Sequence, residues 1–195
     1  MTDAPALYAI YDTASRKILQ LAASPTAPDL SALPTLAAQP IGAAPAASAT
    51  GSMFDAGFNI VPYVPTLSED QRAKRAAASA WQAGLIAAGF TYGGALFQID
   101  ADSRTNIAAM GIMALGSITD PADSPWPDGF YWVAADNSHV AMDAPTMYAF
   151  GRAVAAYVSA CVLRLRAIKD AIAAAPDQAT LDAIDVTALY PAASA

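Results

Sequence analysis

The sequence predicts an α+β protein: a small N-terminal antiparallel β module followed by a mainly helical domain with two β-hairpins and a long C-terminal helix. Three observations predict this. In the first third of the chain, "LYAIY" and "KILQL" carry β-favouring residues on either side of the turn residues Asp12-Thr13-Ala14-Ser15. After Pro65, alanine-rich stretches with helical periodicity take over. The longest of them, between Asp143 and Pro176, repeats apolar residues in steps of four and three, the pattern of helix-on-helix packing. With 195 residues, 55% of them hydrophobic, the chain can bury a core, and it divides by pattern into 1–65 and 66–195.

Taken in order, residues 6–23 read as a hairpin. Residues 24–50 are rich in proline and alanine; Pro25, Pro28, Pro34, Pro40 and Pro45 oppose both a helix and a central strand. That segment is expected to be a linker or an extended arm, the arm reaching out along a partner. "FNIVPYVP" (58–65) reads as an edge strand, because Pro62 removes a ladder donor. Ser68 and Gln71 in "SEDQ" suggest a capping box for the helix that follows, and Gly89 is placed to end it. "FTY" and "ALFQI" flank Gly93-Gly94, a loop suited to a type I′ turn. Asp102 or Ser103 then caps a helix with Ile107, Met110, Gly111, Ala114 and Ile118 on one face. "DPADSPWPDG" breaks it, and 130–142 reads as a second hairpin around Asp136-Asn137. Asp143 caps the long helix, and "DQATLDAID" forms a short one.

The long helix presents Met147, Gly151, Val154, Val158, Cys161, Leu165, Ile168, Ile172 and Ala175 as a seam. Two uses are open: packing on the chain's own two helices, or a coiled coil between sister subunits. Charge narrows the partners. A net charge of −7 argues against nucleic acid, which calls for clustered Lys and Arg. The two small basic groups, Arg72/Lys74/Arg75 and Arg164/Arg166/Lys169, sit in helical patterns and read as solvated faces.

Candidate chemistry is thin. The single cysteine, Cys161, lies at an apolar helical position and reads as a buried thiol. "DADSRT" (100–105) begins like a calcium loop but has Arg104 and Thr105 where an oxygen donor and a glycine are needed. Asp120, Asp123 and Asp128 fall in a Pro-rich turn that offers no desolvated site for acid–base work. His139 is the only histidine, and no G-x-S-x-G, P-loop or G-x-G-x-x-G accompanies it. No catalytic group, metal or cofactor is therefore expected. No signal peptide is evident, and the uncharged runs 105–119 and 153–163 are shorter than the roughly 20 residues that span a bilayer. The expectation is a soluble protein made in a cytoplasm, with no membrane insertion. Trp81, Phe90, Tyr92, Phe97, Trp126, Phe130, Tyr131 and Trp132 serve core packing, or else Trp126, Tyr131 and Trp132 form a sugar-stacking recognition platform.

The ordered set "AAGFTYGGALFQIDADSRTNIAAM" (87–110) and "FYWVAADNSHVAMDAPTMYAFGRAVAAYVSACVLRLRAIKDAIAAA" (130–175) resembles the DUF4376 family. That family is a domain of uncharacterised function carried mostly by tail-fibre and other tail proteins of bacteriophages and prophages. Gly89, Phe90, Tyr92 and Gly94, then Asp100, Ala135-Asp136-Asn137 and Ile168-Lys169 carry the resemblance, which covers roughly 70–175. The opening "YAIYD" and "RKILQL" look like the β module at the start of many tail-fibre proteins. The resemblance implies a non-enzymatic structural component of a phage tail, fibre or baseplate-associated, located in the virion after synthesis in the host cytoplasm. Its partners would be other tail proteins and copies of itself, a homo-oligomer with the trimer favoured. A tail-fibre assembly chaperone and a receptor- or carbohydrate-binding tail module are the alternatives.

Overall fold

The computed structural model describes residues 6–24, 26–41, 51–57 and 59–195. The protein is α+β, and it divides into two compact units, Met1–Pro65 and Thr66–Ala195.

In the first unit β1 (Ala6–Asp12) and β2 (Ile18–Ser24) form an antiparallel hairpin. The Asp12 carboxylate accepts the Ser15 amide at 2.7 Å and its hydroxyl at 2.8 Å, closing the turn. β3 (Leu36–Ile41) pairs antiparallel with the other edge of β1, giving the order β2-β1-β3. This corrects the arm. Part of 24–50 is a sheet strand, and Pro40 is tolerated because β3 is an edge with only one neighbour. Residues 42–50 of the expected arm lie outside the described residues. β4 (Ser52–Phe54) and β5 (Ile60–Pro62) make a second small sheet. Asp55 organises the turn between them, accepting the amides of Gly57 and Asn59, each at 2.8 Å. Ala9, Ile18 and Phe54 are the buried centre, with the Tyr11 ring meeting Phe54 edge-on at 5.1 Å.

The second unit is built on three helices, α1 (Leu67–Ala87), α2 (Ala101–Thr119) and α3 (Ala144–Ala174), with the short α4 (Gln178–Asp182) near the end. α3 packs on both α1 and α2. α1 is capped at Thr66, two residues before the expected Ser68. Thr66 accepts the Glu69 amide, and Glu69 reaches back to the Thr66 amide at 2.9 Å, a complete capping box. A carboxylate serves there better than the Gln71 amide, because it also meets the positive end of the helix. Gln71 instead donates to the Ala175 carbonyl at 3.1 Å. α2 is likewise capped earlier than expected, by Asp100, which accepts the Ser103 amide at 2.8 Å and the Ser103 hydroxyl at 3.0 Å. Asp143 caps α3 as the sequence indicates.

Gly93 and Gly94, with φ of 57° and 85°, reverse β6 (Phe90–Tyr92) into β7 (Ala95–Phe97). The second hairpin joins β8 (Tyr131–Val133) to β9 (His139–Ala141), with Asn137 at φ 65° in its turn. The chain's last residues, free in sequence, lie beside β6. Thr91 donates to the Ala193 carbonyl at 2.8 Å, and Ala195 donates back to Thr91 at 3.0 Å.

The α3 seam faces this chain's own core, with a rotation the heptad pattern did not give. Met147, Val154, Cys161, Ile168, Ile172 and Ala175 are buried as the pattern has it. Val158 and Leu165 are only half-buried, and Phe150 and Tyr157 take the intervening inward positions. Phe150 contacts Tyr92, Phe97 and Trp132, with ring centres at 5.3, 4.8 and 6.4 Å. Large rings from the two hairpins need a large ring opposite them, so aromatic packing sets the helix's rotation. On α2, Ser117 is buried and Ile118 is exposed, the reverse of the expected face at that end. By length and composition α3 is also apolar enough to cross a membrane, which its uncharged run 153–163 alone did not indicate.

Two basic residues depart from the solvated-face reading. Lys74 donates to the Leu181 carbonyl, and to that of Asp182 at 3.1 Å; Arg164 donates to the Ala188 carbonyl at 2.9 Å. Both tie the C-terminal segment down. Arg166 makes an exposed ion pair with Asp170, worth little by itself.

Candidate functional site

Three local features build a groove between the first half of α2 and β8. The Asp100 cap fixes where α2 begins, and with it the face carrying Ser103, Asn106 and Met110, spaced three and four apart. The loop before β8 is clamped by the Trp126 indole N–H, which donates to the Met142 carbonyl at 3.0 Å. The turn of the second hairpin is fixed to the first, since the Ala135 amide donates to the Leu96 carbonyl at 2.8 Å. Between these supports lies an open cavity of ≈ 490 Å³, lined on one side by Gln98, Ser103, Asn106 and Met110 and on the other by Phe130, Tyr131 and Trp132.

The groove is uncharged: among the described residues no Asp, Glu, Lys, Arg or His lines it. The Ser103 hydroxyl already donates to Asp100. The side-chain amides of Gln98 and Asn106 have no hydrogen-bond partner among the described residues. Tyr131, 46% exposed, stacks on His139 at 4.0 Å and 16°, so one ring face is taken and one remains to offer. Trp132 is half-buried, with Phe130 at 6.3 Å beside it.

Of the three recognition aromatics, Tyr131 and Trp132 come together here and Trp126 does not. Trp126 lines a separate cavity of ≈ 530 Å³ with Asp128, Asp143 and Thr146, and Phe130 is the wall common to both. Sequence reasoning missed Gln98 and Asn106. The spacing 103, 106, 110 on one face of α2 was the available signal, and Gln98, just after β7, gave none.

Elsewhere the titratable groups serve local structure. The Asp136 carboxylate accepts the Ser138 amide at 2.9 Å, and His139 lies against Tyr131. Asp100 is a helix cap, and no group of three His, Cys, Asp or Glu side chains that could hold a metal occurs among the described residues. Cys161 is buried, and burial pushes its thiol up. The Tyr157 hydroxyl is buried with only the Cys161 thiol beside it and no hydrogen bond of good geometry among the described residues; burial first, then the neighbouring Cys161, pushes it up to about 12.

A different surface runs along the α2–α3 crossing. The helices approach closely at Gly111 and Gly151, where a Cβ added to Gly151 would lie 3.6 Å from the Ile107 carbonyl oxygen and 3.8 Å from the Gly111 Cα. Beside this crossing α2 turns Ile112, 74% exposed, together with Met113, Leu115 and Ile118 toward solvent.

These features define a small α+β domain of three helices braced by two hairpins, with an uncharged groove at one side and an apolar helix face at another. The chain belongs to the DUF4376 family: the model of this domain of unknown function matches residues 69–188, more than half of the chain. No curated protein and no solved structure matches it.

Proposed function

We propose that this chain is a non-enzymatic structural component of a bacteriophage tail, a fibre or baseplate-associated subunit that acts through protein–protein interfaces. The resemblance of its ordered motifs to tail proteins supplies the setting. One structural observation carries the mode of action: residues 105–119 of α2 hold no charge, yet Ile112, Met113, Leu115 and Ile118 face water. An outward helix face of that composition fits a site that another protein covers. Stoichiometric recovery of the chain by mass spectrometry of purified particles tests the reading. Ile112→Glu is expected to lower incorporation while leaving the circular dichroism spectrum and melting temperature of the free chain unchanged. Presence in lysates with absence from finished particles would instead assign the chain to tail-fibre assembly as a chaperone.

A further inference from the structure

The groove between α2 and β8 has a composition that selects its ligand. At ≈ 490 Å³ it is the size of a small-molecule site. It is uncharged, so phosphates, carboxylates and nucleotides would be desolvated there with no opposite charge in return. A purely apolar ligand would cover the Gln98 and Asn106 amides and leave them unpaired, at a cost. Each amide offers one acceptor and two donors on a planar group, the complement of neighbouring hydroxyls. Opposite them stand Phe130, Tyr131 and Trp132, and the last is held by its contact with Phe150. A ligand that suits both walls has a polar rim and an apolar C–H face.

We infer that this groove binds a neutral saccharide, with a pyranose ring against the aromatic wall and its hydroxyls on Gln98 and Asn106. The Ser103 oxygen, whose proton is directed to Asp100, adds an acceptor. Tyr131 contributes the ring face that His139 leaves open. Trp126 takes no part, because its cavity lies beyond Phe130 and its indole N–H is committed to Met142. The inference stands on the groove alone and is independent of whether the chain is carried on a particle.

The test titrates the full isotopically labelled chain with maltotriose and with chitotriose. A sulfated heparin disaccharide is the anionic control, and N-acetyl-trialanine amide is the peptide control. The Gln98 and Asn106 side-chain amide resonances and the Trp132 indole resonance should move with at least one neutral sugar, with a Kd on the order of 1 mM. Gln98→Ala and Asn106→Ala should each weaken binding roughly fivefold to tenfold. Both side chains are exposed, so the melting temperature should hold. Asp128→Ala, in the neighbouring cavity, should leave the affinity unchanged. Silence from both neutral sugars, or unchanged affinity in the Gln98→Ala/Asn106→Ala double variant, overturns the inference. Preferential binding of the sulfated disaccharide or of the peptide overturns it as well.

Discussion

Tyr157 carries its hydroxyl into the core between the first hairpin and α3, with its ring 5.3 Å from that of Phe90. Among the described residues the hydroxyl meets only the weak Cys161 thiol, without a hydrogen bond of good geometry, so the residue contributes through its ring and loses through its oxygen. Tyr157→Phe should therefore be neutral or stabilising by about 1 kcal/mol in urea unfolding. Its pH behaviour has a definite sign. The folded pKa of about 12 lies above the ordinary value of 10.0, so the unfolded chain loses this proton first. Stability falls as pH rises through that interval, and Tyr157→Phe should flatten the alkaline limb of the melting curve. No sequence pattern marked Tyr157 as buried, because the heptad seam gave the inward position to its neighbour Val158. Phe150 was hidden in the same way behind Gly151.

At the scale of elements, the helices begin where short polar side chains hold amides. The Asp100 carboxyl is kept below its ordinary 3.8 chiefly by the Ser103 amide, Asp143 by the side chain and amide of Thr146, and Asp177 by the Thr180 amide. These lowered values mean that the caps stabilise fully above the unfolded carboxylate range, near pH 4. Their contribution is lost as pH falls through the lower folded values. The melting temperature should drop on acidification from about pH 5 to about pH 2, and Asp143→Asn should blunt the drop. Thr66→Ala, which breaks the capping box of α1, should cost about 1 kcal/mol. The caps at Asp143 and Asp177 are readable in sequence because donor and acceptor are three residues apart. At α1 and α2 the same logic pointed to later starts, Ser68 and then Asp102 or Ser103, than the caps that form, Thr66 and Asp100. Gln71 is drawn away to the end of α3.

At the scale of the molecule, each unit closes one of its sheets with a distant segment. β3 joins β1 across a connection of more than ten residues, so deleting 24–50 strips the three-stranded sheet of an edge as well as removing a linker. In the second unit the C-terminal residues lie along β6, which makes residues 193–195 a structural part of the first hairpin. Removing residues 191–195 should accelerate hydrogen exchange at the Thr91 amide, which donates to Ala193, while amides in the middle of α3 keep their protection. Unchanged protection at Thr91 would show that the tail does not hold that edge in solution.

The sequence by itself determined the β1–β2 hairpin, the helices, the two hairpin turns of the second unit and the heptad character of α3. Each of these depends on groups within about four residues of one another, or on a period that one helix repeats along its length. Tertiary structure alone decided four things: the recruitment of β3, the rotation that brings Phe150 and Tyr157 inward, the tethered C-terminus, and the meeting of Gln98 and Asn106 with Tyr131 and Trp132. These join segments tens of residues apart. Their geometry follows from the fit of rings and backbones across elements, a quantity no local pattern contains.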